Sequence, residues 1–263
     1  MDATIHGLFY KIALHKLSDS AYRSDTTKFV PTPGYSTMVY ASGWHLLFLQ
    51  HFAKRFCQVW SGGEPIYLEG SWCVLVPPKT VINARMGFRP YVLRSVVSRR
   101  PLREKNPEKA YAMPYEGPIP QTDAQVQQLA DEIGTSTEIS FAKVIHPVAR
   151  KLKTLMDDSD DEMPPISELA TTLGCPRTFL ARVFKQSYGL SPSEYLIRLK
   201  IMQSLDHLVF RQQSIAEVSR LCGFNSVNSF NKTFRKTLRM APSSFQVAKR
   251  NPLWGQVLTN YPA

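Results

Sequence analysis

Five side chains recur at one spacing. Arg177, Thr178, Ala181, Arg182 and Lys185 are matched fifty residues later by Val227, Asn228, Asn231, Lys232 and Arg235. If each group lies on a helix, steps of one, four, five and eight residues leave its members on one side. Their chemistry suits the edges and backbone of a nucleic-acid duplex. Arginine can pair bidentately with guanine, asparagine with adenine, and valine can touch a thymine methyl. Lysine and arginine at exposed helix ends more often neutralise phosphates.

The elements that must hold these groups are repeated as well. Residues 166–174 read ISELATTLG and residues 215–223 read IAEVSRLCG, an offset of 49, while YGLSP at 188–192 returns as LRMAP at 238–242. In the first copy Ile166, Leu169, Ala170 and Leu173 form an apolar stripe, and Gly174 supplies a tight corner. Cys175-Pro176 is expected to open the second helix with proline at its first position, and Phe179, Leu180, Val183 and Phe184 face inward. In the second copy Ser214 and Glu217 form a capping box, with Ile215, Val218, Cys222 and Phe224 as core. Asn225-Ser226 caps a helix whose inner face is Phe230, Thr233 and Phe234, and Ser229 stays outward with the recurring set. Each copy has the layout of a helix-turn-helix.

Residues 191–210 join the copies. Ser191 with Glu194 is another capping box, Pro192 takes the first helical position, and Tyr195, Leu196, Leu199, Met202, Leu205 and Val209 continue one apolar face. About 19 helical residues give a rod near 28 Å, against about 34 Å between successive major-groove faces. Such a rod can hold two reading helices in neighbouring grooves.

Residues 141–248 resemble the DNA-binding domain of the AraC/XylS family of bacterial transcription regulators. The resemblance rests on Ile215-Ala216, Gly223-Phe224, Ser229-Phe230, Phe234-Arg235 and Pro242. It implies a seven-helix double helix-turn-helix domain binding double-stranded DNA, in a transcription regulator expected to act as an activator through RNA polymerase. It also implies base- or phosphate-facing roles for Arg177, Thr178, Ala181, Arg182, Val227, Asn228, Asn231 and Lys232. Three departures stand out. Arg239 replaces the glycine usual after the second reading helix, Ala241 and Ser244 replace the second capping box, and Lys200 replaces an arginine of the linking helix.

The chain has 263 residues, enough for about two domains, and a formal net charge of +11. Residues 1–140 carry a net +3 and residues 163–250 a net +9, so the repeated part alone has a polyanion-binding balance. DDSDDE at 157–162 reads as a solvated loop. Cys57, Cys73, Cys175 and Cys222 show no C-x-x-C spacing, which argues against a zinc site or disulfide framework. The start lacks the features of a signal peptide, and no run of 18 apolar residues is available to span a membrane. The expected location is the cytoplasm, at the nucleoid.

Residues 8–98 read as short strands, at 35–42, 44–50, 55–60, 65–69, 71–78 and 91–98, with Gly and Pro between them. Residues 99–120, with five prolines, read as an exposed arm, and helices are expected at 124–133 and 141–156. The family often joins its DNA-binding domain to a cupin-like jelly roll that senses a small molecule or pairs two subunits. Residues 62–78 resemble one hairpin of that fold, with Trp72 near its aspartate-hydrophobic step. The expected fold class is α+β, mainly β at the N-terminus and all-α at the C-terminus: a cupin-like jelly roll followed by the seven-helix domain. The expected divisions are a regulatory or dimerisation domain at 1–120 with its Pro-rich arm, a linker helix at 121–140, the DNA-binding domain at 141–250 and a tail at 251–263. Trp44, Phe48, Trp60, Tyr67 and Trp72 could line an apolar pocket or fill the core, and Arg85 and Arg94 would favour an acidic ligand.

A small-molecule effector, a regulatory protein and a second copy of the chain are the expected further partners. His6, His15, His45 and His51 lack the spacing of a cupin metal centre, so neither an enzyme nor a cofactor is expected. Two rival readings stay open. One is a redox-responsive DNA-binding switch using Cys57 or Cys73; the other is a cupin-type metalloenzyme fused to a DNA-binding module.

Overall fold

The structure, a computed structural model, describes residues 2–6, 10–18, 21–28, 34–40, 43–60, 66–86, 91–102, 110–135, 145–158, 164–209, 211, 213–238 and 240–246. Among the described residues, the N-terminal half is an antiparallel sheet of nine strands: β1 (Asp2–His6), β2 (Tyr10–Lys16), β3 (Ala21–Lys28), β4 (Gly34–Tyr40), β5 (Trp44–Trp60), β6 (Ile66–Val76), β7 (Thr80–Met86), β8 (Tyr91–Ser98) and β9 (Tyr111–Pro114). Hydrogen bonding runs in the order β1-β2-β3-β8-β5-β6-β9, with β7 joining β5 and β4 joining β7.

β5 organises this arrangement. The two strands expected at 44–50 and 55–60 are one strand of 17 residues, whose register against β6 shifts between Leu49 and Phe52 and again between Phe52 and Cys57. Bulges of this kind bend a strand and let it change partners. Trp44–Leu49 accordingly pairs with β8, and Cys57–Trp60 pairs with β7.

The segment expected to be an exposed arm is only partly so. Tyr111–Pro114 adds to the sheet edge beside β6, and Ala110, Tyr111, Ala112 and Met113 are buried. Its short apolar run outweighs the surrounding prolines, because Pro114 stands at the strand end where its missing N–H costs no ladder bond. Helix α1 (Asp123–Thr135) lies on β6 and β9. Val126, Leu129, Ala130 and Ile133 recur at helical steps and pack with Trp44, Phe48, Cys73, Leu75 and Val96.

The remaining helices are α2 (Pro147–Asp157), α3 (Ile166–Thr172), α4 (Arg177–Tyr188), α5 (Pro192–Val209), α6 (Ile215–Leu221) and α7 (Val227–Leu238), followed by a 3-10 turn at Pro242–Phe245. The helix expected from residue 141 begins only at Pro147, and residues 141–144 lie outside the described set. His146 caps it, its Nδ1 accepting from the Val148 amide at 3.2 Å. Two apolar cores divide the helices. Ala149, Leu152, Met156, Leu169, Leu180, Phe184, Tyr195 and Leu199 make one, and Ile201, Leu208, Val218, Phe230, Phe234 and Phe245 make the other.

Candidate nucleic-acid interface

The first unit is α3, a corner and α4. Gly174 has φ of 63°, a left-handed conformation that L side chains rarely adopt, although a Cβ there would meet nothing within 4 Å. Backbone bonds from Gly174 to Thr171 and from Cys175 to Ala170 close the corner, at 3.0 and 3.1 Å. Pro176 is the N-cap and not the first helical residue; α4 begins one residue later than expected. Leu180, Val183 and Phe184 are buried beneath α4. Arg177, Thr178, Arg182 and Lys185 stand exposed on it and Ala181 is half-buried. The Arg182 guanidinium lies 5.6 Å from the Phe179 ring centre, and Phe179 meets His146 edge-on at 5.5 Å.

The helix leaves through Gly189 (φ 76°), whose N–H donates to the Lys185 carbonyl at 2.8 Å. The capping box that follows is complete. Ser191 Oγ accepts from the Glu194 amide at 3.3 Å, and Glu194 Oε2 accepts from the Ser191 amide at 2.9 Å. The Ser191 amide first, and then the Ser191 hydroxyl, which donates to Glu194 Oε2 at 2.8 Å, hold the Glu194 carboxyl below its ordinary range.

The second unit is α6, a corner at Gly223 (φ 64°) and α7. Ser214 Oγ accepts from the Glu217 amide at 3.1 Å, while the Glu217 carboxylate accepts from Gln213 Nε2 at 3.0 Å. Ser226 caps α7 by accepting from the Ser229 amide at 3.1 Å. Phe224, Phe230, Phe234 and Phe245 follow one another at centroid separations of 5.2, 5.5 and 5.4 Å. Val227 is 39% exposed; Asn228, Lys232 and Arg235 are exposed and Asn231 is half-buried. Lys200 turns inward, donating to the Gly223 carbonyl at 3.3 Å with its ammonium 6.0 Å from the Phe224 ring centre. It therefore ties the linking helix to the second corner. The 3-10 turn has no side-chain cap at Ala241, and Arg239 lies outside the described residues.

Both units share α5, whose 18 residues span about 27 Å. Their outward faces are polar and cationic, with arginines on α4 and asparagines on α7.

The residues considered for an apolar pocket are scattered. Trp44 and Phe48 are buried in the core under α1, Tyr67 is 53% exposed, and the side chains of Trp60 and Arg85 lie outside the described set. Trp72 donates to the Glu69 carbonyl at 2.9 Å, and Arg94 donates to Gln50 Oε1 at 2.5 Å. Burial pushes the Cys73 thiol far above its ordinary range, an environment that disfavours the thiolate. Cys222 is likewise pushed up by burial, to about 11. The Cys57 side chain lies outside the described residues.

Asp157 was expected in a solvated acidic loop. It ends α2 instead, half-buried, accepting from Tyr195 and, at 2.6 Å, from Lys153. Residues 159–162 of that run lie outside the described set. No helix among the described residues is long and apolar enough to cross a membrane.

Known proteins align with this geometry. A helix-turn-helix domain family matches residues 169–248. The protein named "Probable transcriptional regulator LumQ" of Photobacterium leiognathi is 28% identical over 81 residues, 31% of this chain and 33% of that protein. "HTH-type transcriptional activator RhaS" of Yersinia pestis is 32% identical over 75 residues, 28% of each chain. The match thus spans about a third of the length of these curated relatives. The structure of unsaturated fatty acid bound ToxT from Vibrio cholerae is similar over 89% of this chain and 98% of its own, with a TM-score of 0.50 at 11% identity. That likeness concerns the fold, a β-rich N-terminal half followed by helices. The C-terminal part of the chain is a helix-turn-helix domain, and the domain is of the AraC type.

Proposed function

We propose that the chain is a transcription regulator that places α4 and α7 in successive major grooves of one duplex, under control of its β half. The observation that carries this reading is the pairing of two helix-turn-helix units on α5, each presenting an exposed polar and cationic face. Arg177, Arg182 and Asn228 are the base readers, with Thr178, Ala181, Val227 and Asn231 shaping the fit. Lys185, Lys232 and Arg235 neutralise phosphate. The likeness to RhaS, named a transcriptional activator, supports activation, with RNA polymerase as the partner that activation needs. A small molecule, a regulatory protein or a second copy acting on the β half would supply the signal. The division follows the two architectures, with residues 1–120 regulatory and 141–250 binding DNA.

The test is titration of full-length protein against duplexes selected from a random pool, over a range of salt. Affinity should fall linearly in log–log coordinates, and Lys232→Ala should weaken all duplexes alike and lower the slope by about 1. Salt-independent binding, or none, would refute the reading.

A further inference from the structure

We propose that Lys79, Arg99 and Asp206 are positioning residues for DNA recognition: through them the β half holds both ends of α5 and sets α7 relative to α4. This rests on the reading that α4 and α7 engage one duplex together.

The two helix-turn-helix cores have little in common except α5. Leu199 belongs to the first core and Ile201 to the second. The angle between the reading helices therefore depends on whatever holds α5, and α5 lies against β4.

At one end, Tyr195 is fully buried and donates to the Asp157 carboxylate, which also accepts from Lys153. Lys79, in the turn between β6 and β7, donates from Nζ to the Asp157 backbone carbonyl at 2.5 Å. An ammonium there complements the negative end of the α2 dipole. Lys79 has φ of 58° after Pro77-Pro78, in a conformation that favours glycine. A lysine in that slot brings a charge that glycine lacks. Beside it Val81 of β7 enters the first helical core.

At the other end, Asp206 of α5 forms an ion pair with Arg99, just past β8, and lies 3.9 Å from Arg211. Tyr22 of β3 packs against the second core. The side chains of Arg99, Asp206 and Arg211 are 25%, 21% and 44% exposed, beside a cleft of about 250 Å³. This contact is wetter than the one at Tyr195. Arg177, Arg182, Lys185, Asn228, Lys232 and Arg235 are all exposed with both contacts in place. The β half thus leaves the reading faces open and acts through orientation.

The test compares full-length wild type with Lys79→Gly, Arg99→Gln, Asp206→Asn and the double variant of the last two. Each is titrated on a duplex selected by the wild type and on the same duplex with one half scrambled. Each single variant should bind the intact duplex about tenfold more weakly, within the range usual for coupling between distant sites. Binding to the scrambled duplex should stay within about twofold, and the double variant should be no worse than either single. Lys79→Gly suits the turn and removes only the ammonium, so its loss cannot be assigned to a broken turn. Unchanged or tighter binding to the intact duplex overturns the proposal. So does an equal loss on both duplexes, which marks a phosphate contact or general instability. If wild type does not distinguish intact from scrambled duplex, the two-helix reading itself fails and takes the proposal with it.

Discussion

The two helix-turn-helix units share a corner but are held by different means. The first is fixed by backbone geometry at its exit, through Gly189 and the Ser191–Glu194 box, and its core admits Val81 from the sheet. The second is fixed by serine caps at its entry and by a run of four phenylalanine rings that ends in a short, uncapped 3-10 turn. Its link to the β half is a partly exposed ion pair. One scaffold can thus be built twice with unequal anchorage, leaving the α7 unit the easier to reorient.

The sharpest way to break this comparison is to hollow out each core in turn. Phe184 and Phe234 are both fully buried, and replacing either with alanine should cost about 3–5 kcal/mol. Hydrogen exchange should show the difference between them. Phe234→Ala should deprotect α6 and α7 while α3 and α4 keep their protection. Phe184→Ala should deprotect α3, α4 and β7, because Val81 shares that core. Equal loss across both units in either variant would mean one cooperative body, and the asymmetry would be gone.

A smaller effect sits at the first exit. Gly189→Ala forces a side chain into a left-handed conformation and should lower stability by about 1 kcal/mol, read from urea unfolding. Smallest of all is the Glu194 contribution, whose carboxyl is held below its ordinary value of 4.5. A depressed folded value stabilises fully above the unfolded value and is lost as pH falls through the folded one. The melting-temperature gap between wild type and Glu194→Gln should therefore be present at pH 6 and close as pH falls well below 4.5. A gap independent of pH would show that the capping box is not the cause.

The asymmetry was only partly legible in the chain. The helical repeat carries its own signals, since Gly174, the serine caps and the apolar steps at Leu180 and Phe184 are local, and the exposed faces of α4 and α7 follow from them. The sheet was less readable. β3 is the polar stretch AYRSDTTK, and β9 is four residues among prolines; both are strands because long-range partners supply the pairing. The contacts between halves had no local signature at all. Lys79 lies 78 residues from Asp157, and Arg99 lies 107 from Asp206. An acidic run looks the same whether its first carboxylate is solvated or, like Asp157, accepts a hydrogen bond from a buried tyrosine.

The central claim is that α4 and α7 read one duplex side by side, and hydroxyl-radical footprinting of the selected duplex tests it most directly. Wild type should protect two segments about 10 base pairs apart. Arg182→Ala should relax base preference in one segment alone and Asn228→Ala in the other, each by about 1–3 kcal/mol at one position. A single protected segment, or two variants that alter the same segment, would contradict the account.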